Sequence, residues 1–167
     1  KLAFLSPTPS DLPESFYGQL NSMIEPDDKS INNTSTMVYL EFMGSRFLFT
    51  GDAQKAVEQF VISRYKSNFY NVIYLNKINV NLSQIDYLKL SHHGSDDASS
   101  QDFLNLLQPK NVIISVGANN FYGHPNSETL LRLDAMGIQY NLFRTDTQGK
   151  ISVKLNGNTF TTMVAVS

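Results

Sequence analysis

Apolar positions along the chain alternate between two periods, and the alternation sets out a series of strands and helices. From Thr36 to Thr50 the runs Met37-Val-Tyr-Leu-Glu-Phe42 and Arg46-Phe-Leu-Phe49 are rich in β-formers and flank Gly44-Ser45, which predicts a hairpin with a tight turn. Ala56, Val57, Phe60, Val61 and Tyr65 then recur at helical spacing, so Ala53 to Lys66 is expected to be a helix with one apolar face. Ile85 to Leu90 is a strand, Gln101 to Leu107 a short helix stopped before Pro109, and Asn111 to Val116 a strongly apolar strand. An amphipathic helix follows from Ser127 to Met136, closed by Gly137. Strands at Ile138 to Phe143, Ile151 to Leu155 and Thr159 to Val166 end the chain, the last two joined by the hairpin signal Asn156-Gly157. Near the start, Leu2 to Leu5 also reads as a strand. Residues 6–30 hold four of the six prolines and form an irregular connection in this reading.

Strands alternating with helices give an α/β unit, and 167 residues fit one domain, 1–167, with no second one. Apolar residues at 41% and charged residues at 17% exclude the composition of disorder. A net charge of -2 and a pI near 5.9 supply no global attraction to phosphate backbones or anionic membranes, so an anionic substrate has to be held locally. Without cysteine there is no thiolate metal site and no disulfide, which leaves His, Asp, Glu and Asn for chemistry. No apolar run approaches the roughly 20 residues that span a bilayer. The chain starts at Lys1 and enters a strand at once, from which we expect that something precedes it.

All three histidines lie in two loops, His92-His93 and His124, and each loop follows a strand, as does Asp52. In a βαβ layout the loops at the carboxyl ends of the strands converge on one edge of the sheet, where ligands bind. Imidazole and carboxylate together suit Zn²⁺, Mn²⁺ or Fe, and a carboxylate can bridge two such ions about 3.5–4 Å apart. Singly, each residue has a plainer reading. Asp52 can cap the following helix, His92-His93 can be a surface turn, and Gly123-His124-Pro125 can punctuate a loop. The Asn32 to Ser35 stretch reads as turn chemistry that starts the hairpin. Asn119 and Asn120 can present amides to the pocket or supply left-handed loop positions. Joint occurrence favours chemistry: Thr50-Gly-Asp-Ala53, Ser91-His-His-Gly-Ser95 and Gly117-Ala-Asn-Asn-Phe-Tyr-Gly-His-Pro125 come in order, each behind a strand.

These blocks, with Asn32 to Ser35, Ser115 to Pro125 and Arg144-Thr-Asp146 with Gly149, resemble the second half of the metallo-β-lactamase-like domain of bacterial competence (DNA-uptake) proteins. The resemblance covers essentially the whole chain. It implies an αβ/βα sandwich of which this chain is the C-terminal half, one mixed β-sheet with flanking helices. It also implies a site with two Zn²⁺ or Mn²⁺ ions in which Asp52 and His93 are metal ligands. His92, His124 and Asn119 would then stand on the substrate side. The implied reaction is hydrolysis of a phosphodiester or related ester, nucleic acid included, by a metal-bound hydroxide. The family's H-x-H-x-D-H motif is absent and no His precedes residue 92, so the chain alone is expected to be inactive. Either an upstream half completes the site, or the chain is a metal-free binding or scaffold module with the same fold. A half-sandwich leaves an apolar sheet face uncovered, to be buried by the missing half or by self-association. A free-standing relative would be cytoplasmic, and part of a DNA-uptake protein extracytoplasmic.

Overall fold

The computed structural model describes residues 1–5, 31–70 and 78–165, so the irregular connection expected at 6–30 lies outside the described residues. Elements follow in the order β1 (Leu2–Phe4), β2 (Val38–Phe42), β3 (Ser45–Phe49), α1 (Lys55–Lys66), β4 (Tyr87–Lys89), a short turn of helix at Ser91–Gly94, α2 (Gln101–Leu107), β5 (Asn111–Ile114), α3 (Ser127–Asp134), β6 (Asn141–Arg144), α4 (Thr145–Gln148), β7 (Lys150–Asn156) and β8 (Thr159–Ala165). Strands β1 to β6 make one mixed sheet in sequence order, antiparallel from β1 to β3 and parallel from β3 to β6. The closing hairpin β7–β8 forms a second, two-stranded sheet, whereas one mixed sheet was expected.

Strand order dictates where the helices go. Each parallel connection steps to the next strand in the same direction, and right-handed crossovers then place α1, α2 and α3 on the same face. That face is the core: Tyr39, Leu48, Leu88 and Val112 from the strands meet Val57, Val61, Phe103, Leu104, Leu107 and Leu133 from the helices. Side chains alternate across a strand, so the register places Leu2, Phe4, Leu40, Phe42, Phe47, Phe49, Tyr87 and Ile113 on the other face. The hairpin reaches part of it, with Phe160 edge-on to Phe47 at 5.0 Å and Val153 beside it. On this face Phe47 and Tyr87 are buried, whereas Leu2, Phe4, Phe42 and Phe49 stay about half exposed.

Local differences have local causes. The first hairpin turns on Met43-Gly44, one position earlier than expected, because both residues take positive φ (49° and 78°) and Ser45 already pairs with Phe42. The last hairpin pairs Asn156 with Thr159, which puts Gly157-Asn158 at its turn instead of Asn156-Gly157. Helix α1 begins two residues later than the apolar spacing suggested, with Gln54 as its N-cap. Strands β4, β5 and β6 are shorter than their apolar runs. The flanking residues bury side chains in loops, among them Ile85, Leu90 and Val116. Helix α2 has the limits read from the sequence, fixed by the Ser100 cap and the left-handed Gln108.

Candidate functional site

The carboxyl ends of β3, β4 and β5 lie side by side, and the three loops that leave them meet in one cleft. It has a volume of about 450 Å³ and is lined by Asn32, Asp52, Gln54, His92, His93, Asp97, Tyr122 and His124. Four of the five residues singled out in the sequence are thus brought together. Asn119 is not among the lining residues; it is exposed at φ 57°, a left-handed loop position. Asn120 closes the loop, with its amide donating to the carbonyls of Gly117 (3.1 Å) and His124 (2.6 Å) and accepting from the His124 N–H (2.9 Å).

The Thr-Gly-Asp and Ser-His-His blocks are stitched to each other. Thr50 Oγ1 donates to the Lys89 carbonyl (2.7 Å), and Ser91 Oγ donates to the Ala53 carbonyl. The Gly51 carbonyl accepts from both the His92 N–H and Lys89 Nζ, each at 3.1 Å. Asp52 caps no helix: its N–H donates to Ser35 Oγ, and with Gln54 as the cap its carboxylate is left to the cleft. His92 and His93 both adopt left-handed backbone (φ 45° and 54°), a conformation costing roughly 1–2 kcal/mol per non-glycine residue. Gly94 makes this loop fit the next one. At φ 85°, a Cβ on it would stand 2.6 Å from Pro125 Cβ, while its carbonyl accepts the Asn126 N–H. Adjacent strain of this kind, held by surrounding bonds, marks functional loops.

His93 is set as a ligand would be. Its Nδ1 faces the Ser115 carbonyl, which fixes the proton there and leaves the Nε2 lone pair for the cleft. Nε2 stands 3.5 Å from Asp52 Oδ1. Two donors each about 2.1 Å from a tetrahedral ion lie about 3.4 Å apart, so this pair fits one shared cation. Lys89 Nζ approaches the same carboxylate oxygen at 3.9 Å. Burial lowers the Lys89 pKa and the Asp52 charge works against that shift. Among the described residues no group of three or more His, Cys, Asp or Glu could hold a metal ion, and such sites need three or four protein ligands.

His92 and His124 flank the pair, their rings 5.7 Å apart, each with an Nδ1 that is buried and has no hydrogen-bond partner. Burial first, then the neighbouring His92 and His93, lowers the His124 pKa, so its ring is neutral at pH 7. Asn32 reaches across sixty residues to place Nδ2 3.3 Å from His92 Nε2. The Asn32–Ser35 stretch is turn chemistry, as read from the sequence, with the Ser35 N–H on the Asn32 carbonyl, and it also touches the site. Lys89, Gln54, Asp97 and Tyr122 were not singled out in the sequence. Only for Lys89, a cation inside an apolar strand run, was there a local signal.

No family model matches the chain. It is 36% identical over 129 residues to the ComE operon protein 3 of Bacillus subtilis (strain 168), a match covering 77% of this chain and 14% of that protein. It is 32% identical over 124 residues to the competence protein ComA of Neisseria gonorrhoeae, covering 74% of this chain and 16% of that protein. The chain therefore spans less than a fifth of the length of either relative. Among the described residues no helix is long and apolar enough to cross a membrane.

Proposed function

We propose that this competence-type bacterial protein supplies the carboxyl-terminal half of a metallo-β-lactamase-type hydrolase site acting on phosphodiester or related ester bonds in a DNA-uptake context. The observation that carries the reading is the 3.5 Å pairing of His93 Nε2 with Asp52 Oδ1 at the edge where His92 and His124 also converge. A Zn²⁺ or Mn²⁺ pair held by Asp52, His93 and ligands from outside this chain would supply Lewis-acid polarisation and an activated water. The chain's own residues do the rest. Asp52 and His93 fix the reacting centre against β3 and β4. His92 and His124, which line the same cleft, stand on the substrate side, and His124, whose pKa burial lowers, is able to donate or accept one proton. The bare sheet face is the seat of the missing half in this reading, and the isolated chain has no activity.

Metal analysis of the full-length gene product tests this. About two Zn²⁺ or Mn²⁺ per chain, lost on Asp52→Ala, is the expected result. A protein with no bound metal overturns it. The lack of a third ligand among the described residues favours, as the second reading, a metal-free binding module with the same cleft. That module would hold a phosphoryl ligand unchanged in the presence of a chelator.

A further inference from the structure

Resting on the hydrolase reading for the use to which the geometry is put, we propose that Glu58 and Arg132 are positioning residues that clamp residues 94–100 from opposite sides and so hold His93 and Asp97 in place at the cleft. The need for a clamp lies in the backbone. His92, His93, Gly94 and Ser99 all take positive φ, and three of the four are not glycine. Such a path persists only where its surroundings over-determine it. Every carbonyl from Gly94 to Ser99 accepts a hydrogen bond from α1 or from α3 and its cap. The Asn126 N–H donates to Gly94 (2.9 Å), Thr129 Oγ1 to Ser95 (2.9 Å) and the Lys55 N–H to Asp97 (3.0 Å). The Arg132 guanidinium serves the other three, with Nη2 donating to the Asp96 and Ala98 carbonyls, each at 3.0 Å, and Nε to Ser99 at 3.1 Å. Nη2 also donates to Thr129 Oγ1 (2.8 Å), which ties that buried hydroxyl into the same fork. From the other side, the Glu58 carboxylate accepts the N–H groups of Ser99 and Ser100. Glu58 is wholly buried, and burial pushes its carboxyl above its ordinary value against the hydrogen bonds it receives. A buried carboxylate is costly to keep for packing alone; what it supplies here is two fixed acceptors. The segment so held carries Asp97 into the cleft and brings the Asp96 charge to bear on His124. Losing either arm frees the peptides next to His93, whose Nε2 stands 3.5 Å from Asp52 Oδ1.

The experiment measures Zn²⁺ affinity of the full-length gene product by competition with a chelator, together with the ring-nitrogen resonances of its isotope-labelled histidines. Glu58→Gln keeps the shape of the side chain and turns one acceptor into a donor facing an N–H. Arg132→Lys keeps the charge and loses the planar fork that reaches several carbonyls at once. Each should weaken Zn²⁺ binding about tenfold, the effect of removing a group that orients a ligand from behind, and should shift the His93 and His124 signals. Leu107→Ala, which removes buried core contacts at the far end of α2, should lower the unfolding midpoint and leave affinity and spectra as they are. Where Glu58→Gln does not fold, Arg132→Lys decides the matter. Unchanged affinity and spectra in the folded variants, or the same changes in Leu107→Ala, overturn the proposal. A wild type that binds no Zn²⁺ overturns the hydrolase reading instead, and the histidine resonances then decide the clamp alone.

Discussion

The two faces of the six-stranded sheet are built from the same kinds of residue and end in opposite states. On one, Tyr39, Leu48, Leu88 and Val112 disappear beneath three helices; on the other, Leu2, Phe4, Phe42 and Phe49 stay in contact with water. Hydrophobicity alone does not distinguish them. Connectivity does, since successive right-handed crossovers in one direction lay α1, α2 and α3 on the same side, while on the second side, among the described residues, the β7–β8 hairpin is what packs. The edge shared by both faces carries the cleft, where His93 Nε2 stands 3.5 Å from Asp52 Oδ1 and, among the described residues, no group of three or more His, Cys, Asp or Glu could hold a metal ion.

The contrast can be broken most sharply on the covered face. Leu104→Ala, in the centre of α2 against the sheet, should lower unfolding stability by about 2–5 kcal/mol in urea titrations. Gly94→Ala attacks the junction of the two site loops. Left-handed strain and the clash with Pro125 together should cost about 2 kcal/mol or more and perturb the His92 and His124 resonances, and a change confined to stability would detach this glycine from the site. On the other face the expected effect on stability is small. Phe49→Ser should alter unfolding stability by less than about 0.5 kcal/mol while weakening self-association of the isolated chain about tenfold by sedimentation, near 1.4 kcal/mol. A monomeric wild-type chain would remove the reason for expecting this.

The smallest effect concerns how the hairpin is held over that face. Arg144 and Asp146 form a two-pronged ion pair, at 2.6 and 3.1 Å, in the turn that leads into β7. The hydrogen bond from Arg144 holds the Asp146 carboxyl below its ordinary value, with the Arg144 charge adding to it. A depressed carboxyl stabilises above its unfolded pKa, and the contribution is lost as pH falls through the folded one. Asp146→Asn should therefore cost about 0.5–1 kcal/mol at pH 7, with the difference from wild type starting to shrink only near pH 4 and disappearing as pH falls through the lower folded pKa. A difference that persists in acid would assign the loss to packing.

Much of the fold was legible because strands and helices of this size declare themselves by short-range spacing. The limits of α2, the hairpin β2–β3 and the order of strands and site loops all follow from residues within a few positions of one another. The failures are where distant groups intervene. Asp52 reads equally as cap and as ligand until Gln54 is seen to occupy the N-cap of α1. Asn32 reads as a turn former until its amide is found beside His92, and Lys89 stands out only once its ammonium is found on the Gly51 carbonyl.

The sequence by itself determined the alternation of elements, the absence of thiolate chemistry, and the placing of Asp52, His92, His93 and His124 after strands. These are properties of local spacing and residue type. Only the tertiary structure decided that the strands run in parallel so that those residues share a cleft, and that His93 turns Nε2 to Asp52 because Ser115 engages its other nitrogen. It also decided which of two equally apolar faces is left open. Such outcomes depend on register and crossover hand, which act between residues tens of positions apart and leave no periodic trace in the chain.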